Sequence, residues 1–407
     1  MTPNITLDPG AATLLAQLHA AGYKAYAVGG CVRDSLLGKA PADWDLCTSA
    51  RPEQVLLLFG EERCIPTGLK HGTVTVRQGD SFYEITTFRV EGAYSDGRHP
   101  DKVDFVADVT QDLARRDFTI NAMAYNDAEG LVDPFGGRED LLVRHVVRAV
   151  GDPARRFEED GLRILRLYRF GAKEALDLDP ATARAALQER ARLDCVSAER
   201  IGQELYKLLS APKPARWMPP EILEQILPGL DCARQPERYA ESLRVVDALM
   251  PDPLARLAAL LAPAGAEAAC AAVARLRCSG AQAKEVCTLV QESGLTFSGD
   301  SPRLQARRLL ARLELDTVRR LLALRQAQTG QAAFGETARA AETLLEEGAC
   351  CRVSQLAVTG RDLLDLGVKP GPMVGRLLAE ALDQVIEETI PNQRAALLGW
   401  LKENHSL

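Results

Sequence analysis

Residues 25–45 constrain the fold more than any other stretch, because they combine a tight turn, a short helix and two acids. The apolar start of this stretch predicts a buried strand. Gly29 and Gly30 follow it, and without β-carbons they let backbone N–H groups approach an anion closely. Residues 31–37 predict a short helix whose positive N-terminus faces the same anion. Arg33 lies in its first turn, an unfavourable place for a cation unless a phosphate neutralises it.

Asp43 and Asp45 close the stretch, separated by one residue. In a strand, this spacing puts both carboxylates on one face. Hard oxygen ligands beside an anion-binding turn suit a pair of Mg²⁺ ions in nucleotidyl transfer, whereas either half alone would fit a tight turn or two surface acids. A neighbouring strand predicted around Glu84 would add a third carboxylate. An ordinary exposed strand acid explains Glu84 equally well.

The composition is that of a soluble globular protein. The chain has 407 residues, 46% hydrophobic and 26% charged, which is too long for one ordinary core and predicts about two to four units. We find no signal peptide and no apolar run long enough to span a bilayer. Ten scattered cysteines without paired CxxC spacing favour free thiols in the cytoplasm. The net charge of −7 argues against a general coat for nucleic acid but does not exclude RNA.

The predicted secondary structure changes character along the chain. Residues 73–76 and 83–89 alternate apolar and polar side chains and predict a hairpin that turns at Gly79. A helix is predicted over residues 50–60, with Ser49 as its cap. After about residue 145, the remaining sequence is helical in pattern. The fold class is therefore α+β, with a mixed sheet first and helices after it.

Residues 155–170 predict one continuous helix with an unusual set of charges. Asp160, Arg163, Arg166 and Arg169 recur every third residue and share a face. The other positions are strongly apolar, so these charges would be costly to bury without a ligand. A surface ladder of ion pairs is the alternative. We favour the ligand.

Residues 303–325 carry seven arginines against two acids. A basic helical face of this kind suits a phosphate backbone, and charge alone fits a solvated surface equally well. The arginines expected to contact RNA are Arg307, Arg308 and Arg312.

The chain resembles the bacterial class II tRNA nucleotidyltransferases, the CCA-adding enzymes, and their poly(A) polymerase relatives. The resemblance rests on a series of motifs in order: GGCVRD, DWD, EITTFR, RRDFTINAMA, EEDGLRILRLYRF and, near the end, TGRDLLDLGVKPGPMVG. It implies an α+β head followed by all-helical parts. We expect a catalytic head over residues 1–145, a neck over 146–215, a body over 216–300 and a tRNA-binding tail over 301–407.

The resemblance also implies roles for single residues. Asp43 and Asp45 would bind Mg²⁺, and Glu84 would support the metal or accept a proton. Nucleotide binding would fall to the following residues: Gly30 and Arg33 at the triphosphate, Arg116 at the nucleotide, and Asp160, Arg163, Arg166 and Arg169 along the nucleotide site. Gly161 stands where a better helix former is expected, at a cost of about 1 kcal/mol relative to Ala.

The implied reaction is attack of the tRNA 3′-hydroxyl on the α-phosphate of CTP or ATP. Asp160 accepts and Arg163 donates, a pattern that fits the pairing edges of cytosine and adenine and rejects uracil and guanine. An A-adding or CC-adding enzyme, a poly(A) polymerase and an inactive RNA-binding module are the alternatives. A full polar loop over residues 91–108 favours complete CCA addition, because the resemblance implies that CC-adding enzymes lack it. Oligomeric state is left open by the sequence.

Overall fold

The computed structural model describes residues 5–92, 102–227, 229–297 and 299–405 of the chain. These residues belong to two compact units, divided between Arg234 and Gln235. Within them, no helix combines the length and apolar character needed to cross a membrane. The predicted division into four parts is finer than this one, and it stays a prediction.

The first unit contains a mixed sheet, as predicted. Seven strands form it in the order β3-β4-β5-β2-β1-β8-β9, and every neighbouring pair is antiparallel except β2 and β5. Two small pairs, β6–β7 and β10–β11, stand apart from it. The strands are β1 (Ala25–Val28), β2 (Leu46–Thr48), β3 (Cys64–Gly68), β4 (Thr73–Gln78), β5 (Ser81–Thr87), β6 (Arg89–Glu91), β7 (Val103–Phe105), β8 (Ala124–Asn126), β9 (Gly130–Val132), β10 (Val146–Val147) and β11 (Asp177–Leu178).

Helices surround this sheet and then make up the second unit. Those of the first unit are α1 (Pro9–Ala20), α2 (Gly30–Leu36), α3 (Pro52–Phe59), α4 (Val109–Ala114), α5 (Gly137–Glu139), α6 (Pro153–Glu159), α7 (Leu162–Glu174), α8 (Pro180–Gln188), α9 (Ala198–Leu209) and α10 (Pro220–Ile226). Those of the second unit are α11 (Pro236–Ala248), α12 (Pro253–Leu261), α13 (Ala266–Arg275), α14 (Gly280–Gln291), α15 (Pro302–Arg312), α16 (Leu315–Thr329), α17 (Ala332–Glu346), α18 (Gly360–Asp365), α19 (Pro372–Ile386) and α20 (Arg394–His405).

The two faces of the sheet have different surroundings. On one face, Val74 and Val76 of β4 and alternate residues of β5 are buried, and the N-terminal end of α1 closes over Tyr83. On the other face, a buried cluster that includes Tyr26, Val28 and Cys47 covers β1 and β2 together with Leu113 of α4. The part of this second face formed by β3, β4 and β5 lies beyond that cluster.

Local sequence predicted the hairpin and the short helix correctly. The hairpin of β4 and β5 turns at Gly79, whose φ of 62° is left-handed. Ser49, however, does not cap the next helix, and that prediction was wrong. Its hydroxyl accepts a hydrogen bond from the Lys24 N–H at 3.0 Å, and α3 begins at Pro52 with Arg51 as its N-cap.

Three further expectations need correction. The helix predicted over residues 155–170 is two helices, α6 and α7, separated at Asp160. The helical region also contains the parallel strand pair β10–β11. Cys270 and Cys287 form a disulfide between α13 and α14, so the expectation of free thiols fails for this pair. The polar loop predicted over residues 91–108 is only partly described. Strands β6 and β7 pair at its base, and residues 93–101 lie outside the described residues.

Candidate active site

The turn after β1 brings the first part of the site together. Gly29 has a φ of 80°, a conformation that L side chains rarely adopt, and it serves as the N-cap of α2. Its own N–H donates to the Met123 carbonyl at 3.1 Å, which ties the turn to the chain just before β8. With no capping side chain at Gly29, the first-turn N–H groups of α2 are left for a ligand.

Arg116 lies against this turn. Its Nη1 stands 3.0 Å from the position that a β-carbon on Gly29 would occupy. Its Nη2 lies 3.4 Å from the buried carboxylate of Asp112, which orients the guanidinium. Within the described part of the chain, its buried Nε has no hydrogen-bond partner. A guanidinium so placed, with donors left over, is suited to an anionic ligand at the turn.

The predicted carboxylates meet on the other side of the turn. Asp43 and Asp45 lie in the segment just before β2. The strand that we predicted for them begins only at Leu46, directly after Asp45. The Asp45 carbonyl accepts a hydrogen bond from the Val28 N–H at 2.9 Å, so Asp45 continues the pairing of β2 with β1. On the opposite side, the parallel register aligns Leu46 with Ile85, which makes Glu84 the neighbour of Asp45.

The charges of this group act on one another. Asp45 is open to solvent on one side, but the packed protein around its carboxylate and the negative charges of Asp43 and Glu84 raise its pKa to about 6. The guanidinium of Arg116 acts in the opposite direction and lowers it. Three acids and one arginine therefore share a single electrostatic environment, as a site for a cation and a polyphosphate requires.

The acids of this group do not complete the coordination of a hard divalent cation by themselves. No group of three or more His, Cys, Asp or Glu side chains in the described residues is close enough together to hold a metal by itself. Mg²⁺ needs no such cage, since one or two carboxylates plus substrate phosphates commonly complete its coordination. Asp43 and Asp45 supply those carboxylates, and the turn next to them supplies the place for the phosphates.

Arg33 is held by protein groups, and its expected contact with the triphosphate stays a prediction. It is 4% exposed, and its guanidinium is held by Asp34 at 2.7 Å and by the Asn121 side-chain oxygen at 2.6 Å. The buried carboxylate of Glu174 lies 3.6 Å from its Nε. Protein groups therefore neutralise this cation, and Arg33 supports α2 from beneath.

A buried polar network continues from Arg33 toward α7. Asn121 donates to Asp117 at 3.1 Å, and Asp117 accepts from Arg166 at 2.5 Å. Burial alone would raise the pKa of Asp117, but Arg166 and the hydrogen bond from Asn121 lower it to about 2. The guanidinium groups of Arg33, Arg166 and Arg169 also surround the ring of Phe170, with that of Arg169 3.9 Å from its centroid.

The charges of α7 meet protein partners rather than standing unpaired. Arg163 binds Glu159 at 2.6 Å, and Arg169 binds Glu204 at 2.6 Å. Asp160 does not pair with Arg163. Its carboxylate binds Arg200 at 2.8 Å and accepts from the Leu162 N–H, which starts α7. The argument that these charges need a ligand was therefore wrong, because ion pairs with protein groups already compensate them.

The sequence interpretation of Gly161 was also wrong. This glycine lies between α6 and α7, and a β-carbon there would stand 2.5 Å from the Arg192 carbonyl oxygen. Gly161 thus allows close packing where the chain breaks, and it does not weaken a continuous helix.

The predicted basic face of the tail is divided and neutralised. Its arginines lie on two helices, α15 and α16. Arg307 binds the Val385 carbonyl and Glu388, Arg308 binds Asp300 and Glu387, and Arg312 binds Glu292. A role for these arginines in tRNA contact stays a prediction.

The sequence did not reveal several partners that shape the site. Asn121 follows Arg116 within a motif that we singled out, but its contact with Arg33 was unexpected. Asp112, Glu174, Arg200 and Glu204 were not predicted, because nothing in their local sequence distinguishes them from surface charges. Asp112, Glu174 and Glu204 are identified by their burial against arginines, and Arg200 by its ion pair with Asp160.

Three family models match the chain. They are the Poly A polymerase head domain over residues 25–147, the probable RNA and SrmB-binding site of polymerase A over residues 175–233, and a putative tRNA nucleotidyltransferase domain 2 over residues 255–401. The first of these contains the turn, the acids and Arg116.

Similar proteins cover nearly the whole chain. The CCA-adding enzyme of Limosilactobacillus fermentum is 34% identical over 400 residues, which are 95% of this chain and 94% of that protein. The CCA-adding enzyme of Geobacillus stearothermophilus is 43% identical over 234 residues, 57% of each chain. Among solved structures, the Bacillus stearothermophilus CCA-adding enzyme in complex with CTP matches with a TM-score of 0.81, 30% identity and 98% coverage of both chains.

Proposed function

Since the chain belongs to the family of CCA-adding enzymes, we propose that it adds C, C and A to the 3′ end of tRNA from CTP and ATP. The observation that carries the proposal is the position of Arg116 between the Gly29 turn and the acids around Asp45. A triphosphate bound there would have its α-phosphate beside the carboxylates. The related structure that contains CTP supports the same kind of ligand.

The first proposed task of the site is to hold the triphosphate. Gly30 and the first turn of α2 offer backbone N–H groups, and Arg116 offers its free donors. Arg33 contributes indirectly by fixing α2 against Asn121 and Glu174.

The second proposed task is to prepare the reacting groups. Nucleotidyltransferases of this family use a divalent metal, and we propose Mg²⁺, held by Asp43 and Asp45. When bound, such an ion neutralises phosphate charge and lowers the pKa of the attacking hydroxyl. We propose that Glu84, at the edge of this group, supports the metal or accepts the proton of the 3′-hydroxyl.

The third proposed task is nucleotide choice by Asp160 and Arg163. An acceptor and a donor at this point suit the pairing edges of cytosine and adenine. Because Asp160 is bound to Arg200 and Arg163 to Glu159, reading a base requires these side chains to exchange partners. Arg166 and Arg169, each bound to a buried carboxylate, would line the same site and stiffen it.

The proposal is tested by supplying CTP and ATP separately to tRNAs that lack the whole CCA end, its last two nucleotides or only the final A. We expect C incorporation into the first two substrates and A incorporation into the third. Incorporation of A alone, of C alone or of many A residues would instead identify an A-adding enzyme, a CC-adding enzyme or a poly(A) polymerase. Binding without incorporation would identify an inactive RNA-binding protein.

A further inference from the structure

Among the described residues, nothing covers one face of the sheet at β3, β4 and β5, and this open face carries side chains that the proposed reaction does not yet use. Along β5, Tyr83 and Ile85 lie on one face of the sheet and are buried. Phe82 and Glu84 lie on the opposite face and are exposed. Phe82 is 58% exposed, and Ile65 of the edge strand β3 is 47% exposed. The register places both side chains on the same face of the sheet, and exposed apolar groups that share a face mark a candidate contact surface.

Two pairs of threonine hydroxyls lie on the same face of the sheet as these apolar side chains. Thr67 and Thr75 are 2.8 Å apart between their hydroxyl oxygens, and Thr73 and Thr86 are 2.9 Å apart. The register places Thr75 opposite Glu84, so this polar row continues directly into the acids of the candidate active site. Thr75 itself is buried, but Thr67 is exposed and Thr73 and Thr86 are half-buried, so each pair keeps a hydroxyl with donor or acceptor capacity for a ligand.

Arg77 adds a cation to this open face. It stands opposite Phe82 in the register of β4 and β5, and it is exposed. An apolar ring, hydroxyl pairs and a nearby cation match the bases, riboses and phosphates of single-stranded RNA, which sheets commonly bind in this way.

The position of the face relative to the reacting groups indicates which RNA segment it would hold. Asp45 has the Gly29 turn and Arg116 on one side, through β1, and Glu84 on the other side, through β5. Attack and departure occur roughly in line in phosphoryl transfer. If pyrophosphate leaves toward Arg116, the attacking hydroxyl arrives from the side of Glu84.

We propose that the open face of β3, β4 and β5 binds the single-stranded 3′-terminal nucleotides of the acceptor RNA. Phe82 and Ile65 pack against its bases, and the two hydroxyl pairs contact its riboses. This inference rests on the proposed function and deepens it by naming the surface that presents the 3′-hydroxyl to Glu84.

The first test compares Phe82→Ala with Leu57→Ala. Leu57 is 88% exposed on α3, outside the open face, so it controls for the loss of an exposed apolar side chain. We expect Phe82→Ala to weaken binding of tRNA that lacks CCA by about tenfold, since one stacked base contributes roughly that much. Its KM for CTP should not change, and Leu57→Ala should match the wild type in both measurements. Equal tRNA affinity of the two variants would overturn the proposal.

The second test replaces Thr73 and Thr86 together by Val. Removing both hydroxyls of a pair leaves no unsatisfied partner and keeps the branched shape, so the fold should tolerate the change. Wild-type protein should bind a tRNA with a ribose 3′ end more tightly than one with 2′-deoxy residues there, and the double variant should lose this preference. An unchanged preference would contradict the ribose contact. Binding is measured without nucleotides, so a failure of CCA addition would be seen separately.

Discussion

The guanidinium of Arg116 packs against the α-carbon of Gly29, with Nη1 3.0 Å from the site of an absent β-carbon. This contact joins the anion-binding turn to the arginine that faces the acids. Position 29 therefore favours glycine for two reasons. Its φ is left-handed, and a charged side chain approaches it closely.

Gly29→Ala is therefore expected to lower kcat/KM for CTP by at least tenfold. The new methyl group would displace Arg116 and strain the backbone. Gly38→Ala is the matched control, because Gly38 has a φ of 70° but nothing within 4 Å of its added β-carbon. Steady-state incorporation and thermal unfolding are measured for both. If the two variants lose activity equally, backbone strain alone explains the effect and the contact with Arg116 does not matter.

Gly161→Ala is expected to destabilise the first unit by about 1–3 kcal/mol, as overpacking usually does. Its β-carbon would collide with the Arg192 carbonyl, a backbone atom that cannot rotate away. Gly375→Ala, within α19 and with open space around it, should instead be neutral or stabilising by up to about 1 kcal/mol. Denaturant unfolding compares the two. A stabilising Gly161→Ala would restore the interpretation of Gly161 as a weak helix former.

Much of the active-site turn could be predicted from sequence, because its determinants are local. Gly29 and Gly30 impose a turn wherever they follow a buried strand, and Asp43 and Asp45 come shortly after. Whether Glu84 belongs to the site depended on the strand order, which the local sequence does not determine. The parallel pairing of β2 with β5 brings Glu84 beside Asp45.

The charged groups of α7 could not be predicted in the same way. Their partners are distant in sequence, so periodicity showed that Arg163 and Asp160 were charged but not what they bind. In the fold, Arg163 binds Glu159 and Asp160 binds Arg200. Helical periodicity also cannot detect a break of only two residues, Asp160 and Gly161, in which Asp160 accepts a hydrogen bond from the Leu162 N–H.

Asp160→Ala is expected to loosen nucleotide choice so that UTP competes with CTP. Arg163→Ala should mainly lower incorporation of both CTP and ATP, since one wrong pairing group costs about 1–3 kcal/mol. Glu158→Ala serves as the control, because Glu158 is an exposed acid that pairs with Arg192 on the surface. Competition assays with paired nucleotides measure the ratio of kcat/KM values. Unchanged selectivity in Asp160→Ala would argue against nucleotide choice by protein side chains.

Arg308→Gln combined with Arg312→Gln is expected to weaken tRNA binding and to reduce its salt slope by up to about two. Both side chains are 46% exposed and can exchange their carboxylates for phosphates. Arg307→Gln should mainly reduce stability, because its side chain is 12% exposed and its guanidinium is bound to a backbone carbonyl. Arg244→Gln, which breaks an exposed ion pair on α11, is the control. A salt slope equal to that of the control would show that the tail arginines are solvated surface side chains that do not contact tRNA.

The most direct measurement of the central claim is extension of tRNA lacking CCA by wild-type protein and by Asp45→Asn. The assay contains Mg²⁺, CTP and ATP, is read at single-nucleotide resolution, and is accompanied by tRNA binding. We predict that the wild type adds three nucleotides, C, C and A, and that Asp45→Asn adds none while binding tRNA with unchanged affinity. Extension by Asp45→Asn at the wild-type rate would contradict the assignment of Asp45 as a metal-binding catalytic residue.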